Sequence, residues 1–323
     1  MRLGNGKWET AQFNNRLQVT QLGLGTSATN ANLWKTDYQY GEFNPSDGSV
    51  NTNKNTGNIG KQTLTIPGAT FNQGYQYDAL FRLTNAKEWT GTSLNNPNWT
   101  QAFGYDVYGN RTSFSQNIGG VQTNTTPAVS ASTNRFTSSS FTYDKNGNTT
   151  RDIDPLTSQP RQFVFNGDDK QIEVKDNVGN PIGKYYYDGE GKRVKKVTDL
   201  ETAIFVYDGD GTLIEEYSTQ INPTPEISYL TFDHLDSPRV ITGKTGNVIA
   251  RRDFMPFGEE IYAGVGSRST SQNYSSAGID NVRKRFTGYE KDQETELDFA
   301  ENRMYQTGTA DLRLLTRCLN PHI

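Results

Sequence analysis

Short runs in which β-branched or aromatic residues alternate with polar ones recur along the second half of the chain, at residues 182–187, 192–198, 202–207, 212–218, 227–233, 238–243 and 248–254. A period of two over five to seven residues, closed by glycine-rich or Asp-rich turns, predicts β-strands joined as hairpins. Helical spacing is confined to residues 311–319, where Leu312, Leu315 and Leu319 fall on one face of a predicted short helix. The expected fold is therefore all-β: antiparallel hairpins in a curved, continuous sheet, with little helix. Residues 192–197, Lys-Arg-Val-Lys-Lys-Val, place polar side chains on both faces of their strand. A sheet that buries one face tolerates this poorly, so the pattern predicts a sheet wetted on both sides. Residues 44–62 and 113–140 are rich in Asn, Ser, Thr and Gly without periodic apolar positions and are predicted to be long surface loops or insertions.

The dipeptide Tyr-Asp punctuates the runs, at Tyr77-Asp78, Tyr105-Asp106, Tyr143-Asp144, Tyr187-Asp188 and Tyr207-Asp208. From the Tyr and Asp content, chance gives about one such pair, so the excess marks a repeat. Four of the tyrosines are followed four positions later by glycine, at Gly109, Gly147, Gly191 and Gly211; the fifth has Phe81 there. The chemistry fits a hairpin corner. A strand ends at Tyr, the Asp carboxylate accepts backbone N–H groups, and Gly takes the left-handed position before the return strand. The spacing between tyrosines varies while the corner composition is kept, which points to loops of different length on one scaffold.

Composition narrows the function. The 323 residues have a mean hydropathy of -0.77 and 33% hydrophobic residues, too few for a thick two-sided core. The 17 Tyr, 16 Phe and 4 Trp nevertheless separate the chain from disordered sequences. A net charge of -4 offers no basic field for nucleic acid. No apolar run is long enough for a signal peptide or a membrane span, so the chain reads as soluble, with its location open. The single cysteine, Cys318, excludes an internal disulfide and provides no zinc-ligand cluster.

Candidate chemistry is sparse. Asp233, His234 and Ser237 are the residue types of a hydrolase triad, but three triad members in five consecutive positions cannot converge as the roles require, so a hydrogen-bonded structural His is expected. Asp208-Gly209-Asp210-Gly211 with Glu215 lacks the third acidic ligand of a calcium loop, and its glutamate comes too early. Asp152 and Asp154 lie beside Pro155 in a loop signal and read as solvated turn residues. No glycine cluster has the strand before and helix after that a phosphate loop needs. No catalytic, cofactor-binding or metal-binding residue is expected.

The run 233–240, Asp-His-Leu-Asp-Ser-Pro-Arg-Val, resembles the repeat-associated core of the Rhs/YD-repeat family, with Asp233, His234, Pro238 and Arg239 carrying the likeness. It continues through Gly-Asn-Val-Ile-Ala-Arg-Arg-Asp at 246–253, Pro256-Phe257-Gly258, Arg285-Phe286-Thr287-Gly288 and Arg303-Met304-Tyr305. The Tyr-Asp corners resemble YD repeats, and Lys54-Asn55-Thr56-Gly57-Asn58-Ile59 is similar to the run that often precedes them. The family's glycine stands as Asp236, a residue that tolerates left-handed backbone.

The resemblance implies a β-sheet spiral that closes into a hollow shell around a C-terminal toxin or effector, released by an aspartyl autoprotease at the end of the core. From Gln306 the sequence departs from that ending. Reading permitted codons for residues 306–317 two nucleotides later can give Asn-Arg-Tyr-Gly-Arg-Phe-Thr-Thr-Val-Asp-Pro, similar to the missing terminus, so a frameshift or truncation is expected there. The implied organisation is 1–76 repeat-like strands with a polar loop at 44–62, 77–226 a YD-repeat meander with an insertion at 113–140, 227–305 the repeat-associated core, and 306–323 an aberrant tail. The expected function is a non-catalytic encasing scaffold, a fragment of a polymorphic-toxin shell without its effector. The implied partner is that enclosed segment, and relatives are secreted or cell-surface associated. The rival expectation is an extracellular module that binds carbohydrate or a cell surface through exposed aromatics such as Trp89 and Trp99.

Overall fold

The computed structural model describes residues 1–155, 157–211, 213–220, 227–276, 282–300 and 303–307. Among them regular structure is antiparallel strand, apart from isolated 3-10 turns. The chain opens with β1 (Trp8–Phe13), β2 (Val19–Gly25) and β3 (Trp34–Tyr40), then a small side hairpin of β4 (Glu42–Phe43) and β5 (Val50–Asn51). It resumes with β6 (Ile59–Ile66), β7 (Ala69–Tyr77), β8 (Leu83–Thr90), β9 (Trp99–Tyr105), β10 (Arg111–Ile118) and β11 (Val121–Thr125). Without the side hairpin these form one nine-stranded meander in chain order.

A second, eight-stranded meander follows, also in chain order. Its strands are β12 (Thr142–Tyr143), β13 (Thr149–Ile153), β14 (Pro160–Phe165), β15 (Gln171–Lys175), β16 (Pro181–Tyr187), β17 (Arg193–Thr198), β18 (Thr202–Tyr207) and β19 (Leu213–Ser218). Three small sheets complete the structure: β20 (Ser228–Phe232), β21 (Pro238–Gly243) and β22 (Val248–Arg251); β23 (Asp253–Phe254) and β24 (Glu260–Ile261); and β25 (Glu290–Asp292), β26 (Leu297–Ala300) and β27 (Arg303–Tyr305). Two compact units result. One holds residues 1–127, 226–282 and 286–288, the other 128–225, 283–285 and 289–323. They cut across the linear division drawn from sequence, because core-like residues fall into both.

The first unit buries Leu24, Trp34, Leu64, Ile66 and Phe71 against Val240 and Tyr274, and a second cluster joins Ala86 and Trp99 to Met255 and Ile261. The other unit has a smaller apolar cluster of Phe163, Val174, Tyr185 and Leu297. Each set alternates along its strands, as a pleat with one face inward requires.

Three expectations are corrected here. Residues 113–125 are not loop: they supply most of β10 and all of β11, because backbone pairing needs no apolar alternation and Phe114 stacks on Phe103 with ring centroids 5.6 Å apart. Part of 44–62 is likewise strand, with Gly60 and Gln62 buried in β6. The wetted reading of 192–197 also fails. Arg193 and Lys196 are both fully buried, because one extra residue inserted after Arg193 turns both side chains to the same inward face. The predicted helix at 311–319 and Cys318 lie outside the described residues.

Candidate functional site

The corners share one construction. At Asp78 the backbone N–H donates to the Arg82 carbonyl at 2.9 Å, the Phe81 N–H returns to the Asp78 carbonyl at 3.0 Å, and Oδ1 accepts the Leu80 and Arg82 amides, each at 2.9 Å. Asp106 and Asp188 repeat the full set of bonds, and Asp144 and Asp208 keep its main elements. The third residue after Asp is left-handed throughout: Gly109, Gly147, Gly191 and Gly211, with Phe81 at φ 62°. A local Asx turn supplies the orphan amides, which is why Asp opens it.

The same corner also forms where the sequence has no Tyr-Asp, at Asn14, Asn166, Asp176 and Asp233, with Leu17, Asp169, Gly179 and Asp236 left-handed. Reading for Asp or Asn followed at the third position by Gly, Asp or Asn would have found all of these except Asn14.

The strand pairing explains the tyrosine. At each corner the last residue of the incoming strand pairs with the residue six positions on, and a one-residue bulge follows on the return strand. That return carbonyl receives the hydroxyl of the next corner's tyrosine. Tyr40 donates to the Val19 carbonyl at 2.9 Å, Tyr77 to Ile59 at 3.0 Å, Tyr105 to Leu83 at 2.7 Å, Tyr187 to Gln171 at 2.7 Å and Tyr207 to Arg193 at 3.0 Å. Cations of the preceding corner lie over the same rings: Arg82 on Tyr105, Lys170 on Tyr187 and Lys192 on Tyr207. Each of these five tyrosines thus keys its corner to the neighbouring one along the sheet's rim. Tyr143 differs, its hydroxyl accepting the Phe136 amide at 3.0 Å.

In the first unit the core-like residues build a buried ionic chain. Glu88 takes both terminal nitrogens of Arg268 at 2.7 and 2.8 Å, and Arg268 Nε reaches Asp253 at 2.7 Å. Asp253 also pairs with Arg239 at 2.6 Å, and Arg239 with Asp233 at 3.1 Å. Gln73 and Asn98 donate to Glu88, Gln62 to Gln73, and Tyr274 to Asp253. Against the upward push of burial, Arg268 and Arg239 hold the Asp253 carboxyl below its usual range.

The remaining core-like positions pack around this chain. His234 sets its ring edge-on to Tyr38, centroids 4.6 Å apart, and burial holds its imidazole pKa down. Ser237 Oγ accepts the Thr287 amide at 3.0 Å, so Asp233, His234 and Ser237 point to three different partners. Pro238 starts β21. Pro256 and Gly258 lie in the turn closed by Met255 and Glu259, and Phe257 sets its ring against Phe103 at 4.8 Å. Phe286 packs on Phe254, and the left-handed Gly288 sits where an added Cβ would stand 3.3 Å from the Asp236 carbonyl. Glu259, buried beside Arg111 and Gln101, is pushed up to about 7 by burial.

The second unit gathers charge differently. Arg193 bridges Asp292 at 2.7 Å and Glu290 at 2.8 Å, over the Phe299 ring. Lys196 meets Asp292 at 3.3 Å, Glu294 at 3.4 Å and Glu201 at 3.5 Å. Arg283 ties Glu201 to Glu216. Burial, with Asp292 alongside, pushes Glu294 up to about 7, and burial does the same to Asp298. Against burial, hydrogen bonds from Arg283 and Ser218 hold Glu201 down at about 2. Arg285 is buried in this unit, its amide donating to the Tyr289 carbonyl, and Arg303 and Tyr305 form β27 beside β26. Asp152 is not a solvated turn residue: it is buried and paired side-on with Arg161, Nε to Oδ1 at 2.8 Å, directly across the β13–β14 ladder. Asp208 and Asp210 serve their turn, and Glu215 is exposed. Among the described residues no cluster of three acidic, His or Cys side chains is arranged to hold a metal.

Trp89 and Trp99, the named candidates for carbohydrate stacking, are 3% and 0% exposed. They lie on opposite faces of the sheet, Trp99 packed with Ala86, Met255 and Ile261 and Trp89 covered by Phe43, so neither offers a platform to a sugar.

The almost wholly antiparallel β architecture, with meanders in chain order, is similar to that of solved Tc toxin structures. Over 95% of this chain and 16% of the other, it superposes on the Photorhabdus luminescens Tc holotoxin pore with a TM-score of 0.65 at 15% identity. It superposes on TcdB2–TccC3 with a TM-score of 0.66 at 16% identity, over 95% and 17% of the respective chains. By sequence it is similar to "tRNA nuclease WapA" of Bacillus subtilis, 24% identical over 227 residues, and to "tRNA3(Ser)-specific nuclease WapA" of Bacillus spizizenii, 27% identical over 221 residues. In each case 62% of this chain aligns, and it spans 9% of the relative's length. No protein-family profile matches. Among the described residues no helix is long and apolar enough to cross a membrane, which leaves a strand-built crossing untouched.

Proposed function

We propose that the chain is a section of wall in an Rhs-type toxin shell: a non-catalytic scaffold whose larger protein encloses a toxin or effector segment. The likeness to Tc toxin structures across 95% of the chain carries this reading. The corners support it physically. Each hairpin brings its own turn bonds, and at five corners a tyrosine key to its neighbour, so a sheet can be lengthened unit by unit without a thick apolar core. The buried ionic chains support it as well, since they hold the core-like strip with charge where the composition lacks grease.

Activities named for the WapA relatives belong to proteins about seven times longer, 62% of this chain matching 9% of theirs. The reading assigns no nuclease chemistry to this section, and purified chain incubated with tRNA is expected to leave it intact. The direct test uses the complete gene product that contains this section. A segment enclosed by it should resist added proteinase until low denaturant opens the wall, whereas the same segment expressed alone is cut at once. Equal cutting of the two sinks the proposal.

A further inference from the structure

The eight-stranded sheet has two unlike borders. Beside β12, residues 128–141 fold over the first corner: the Phe136 amide donates to the Tyr143 hydroxyl, Arg135 lies 5.2 Å over the Tyr143 ring, and Val129 bridges Phe136. At the far border β19 pairs with β18 and with no other described strand. Five of its six residues are exposed, Ile214 at 62% and Tyr217 at 55%.

An in-register row, Tyr186–Lys195–Ile204–Tyr217, crosses β16 to β19 on the outward face and stops at that border. The rim stops there too. Tyrosine hydroxyls occupy the Gln171 and Arg193 carbonyls, and the next carbonyl in the series belongs to Leu213. Among the described residues no tyrosine reaches it. Unpaired strand edges with exposed apolar side chains are templates for another strand.

We propose that β19 is a docking edge for an extended strand of another polypeptide that ends in an aromatic–Asp corner, added antiparallel so that its tyrosine hydroxyl meets the Leu213 carbonyl. The parity of the sheet fixes this geometry. Corners on this rim follow β12, β14, β16 and β18, so a strand laid antiparallel against β19 brings its own corner to the same rim. The exposed Glu215 beside this edge favours a basic strand. The inference stands on the corner geometry and is independent of the shell reading.

The probe is a fluorescein-labelled peptide with the sequence of residues 181–198, a segment of net positive charge that carries β16, its Tyr-Asp corner and β17, titrated into the 323-residue protein and followed by anisotropy and amide hydrogen exchange. Saturable binding is expected, with exchange slowed at residues 213–218 and not at 8–13 or 121–125. A Tyr187→Phe peptide should bind about fivefold more weakly, the effect of one lost hydrogen bond. The Ile214→Lys/Tyr217→Lys protein, changed only at exposed positions and checked for an unaltered circular dichroism spectrum, should bind at least tenfold more weakly. Absence of saturable binding, protection at another edge, equal affinity of the Phe peptide, or protection of 213–218 by self-association of the protein alone overturns the proposal.

Discussion

In the unit built on β1–β11, buried charges alternate in sign, Glu88, Arg268, Asp253, Arg239 and Asp233 following one another as links. In the unit built on β12–β19, Glu201, Glu216, Glu290, Asp292 and Glu294 crowd around Arg193, Lys196 and Arg283. The first arrangement lets every charge find an opposite one and sits beside a large apolar core. The second crowds several carboxylates onto each cation beside a smaller apolar cluster, and there burial, with Asp292 alongside, pushes Glu294 up to about 7. Both solve the problem of a polar sequence that must nevertheless bury strands, but only the second ties its solution strongly to pH.

The largest effect should come from removing a shared cation. Arg193→Met strands Asp292 and Glu290 in the interior and should cost about 3–5 kcal/mol, and Arg268→Met should cost a similar amount by stranding Glu88 and Asp253. Urea unfolding followed by probes placed in each unit checks whether each loss is local. A loss below about 1 kcal/mol at either site would mean that the chains are ornament rather than support.

The comparison is sharpened next by pH. Glu294 has its carboxyl raised from 4.5 to about 7 in the folded state, so the folded form binds a proton that the unfolded form has released. Its contribution is complete below about 4.5 and is lost as pH rises through about 7. The groups facing it are Asp292 and Lys196, together with the Tyr185 hydroxyl at 2.8 Å. Stability of this unit should therefore fall on the order of 1–3 kcal/mol across that window. Glu294→Gln should flatten the fall in part, Asp298 supplying the remainder. The other unit has one corresponding group, Glu259, and Glu259→Gln should remove its smaller slope. Thermal melts at several pH values separate the two, and equal slopes in both units would break the contrast.

A smaller effect, alike in both units, is expected from the rim. Tyr77→Phe and Tyr187→Phe each delete one hydroxyl bond to a corner carbonyl and should cost about 1 kcal/mol, read as a shift in urea midpoint. The smallest effect has the opposite sign. Phe81 holds φ 62° on an exposed corner, so Phe81→Gly should stabilise the nine-stranded sheet by a few tenths to about 1 kcal/mol.

Local chemistry made the strands from 182 to 254 legible, because turn residues and alternation agree there. The polar stretch 113–125 was not legible as strand: its pairing is through backbone, which leaves no mark on side-chain pattern. The burial of Arg193, Lys196 and Asp152 was equally hidden. The partners of Arg193 and Lys196 at 290–294 are supplied by tertiary packing, that of Asp152 by the register of the β13–β14 hairpin, and a one-residue bulge sets which face Arg193 takes. For the tyrosines, the Tyr-Asp pair exposed the corner itself but not the reason for a hydroxyl, which serves the neighbouring hairpin rather than its own.

Between Tyr40 and Ile59 the corner carries residues 41–58, where the Tyr77 corner spans only from Tyr77 to Leu83. Even so, Tyr40 and Tyr77 hold their rungs on either side as though nothing had been spliced in. At this corner the rim therefore tolerates a spliced-in segment of very different length while the strands on either side keep their register.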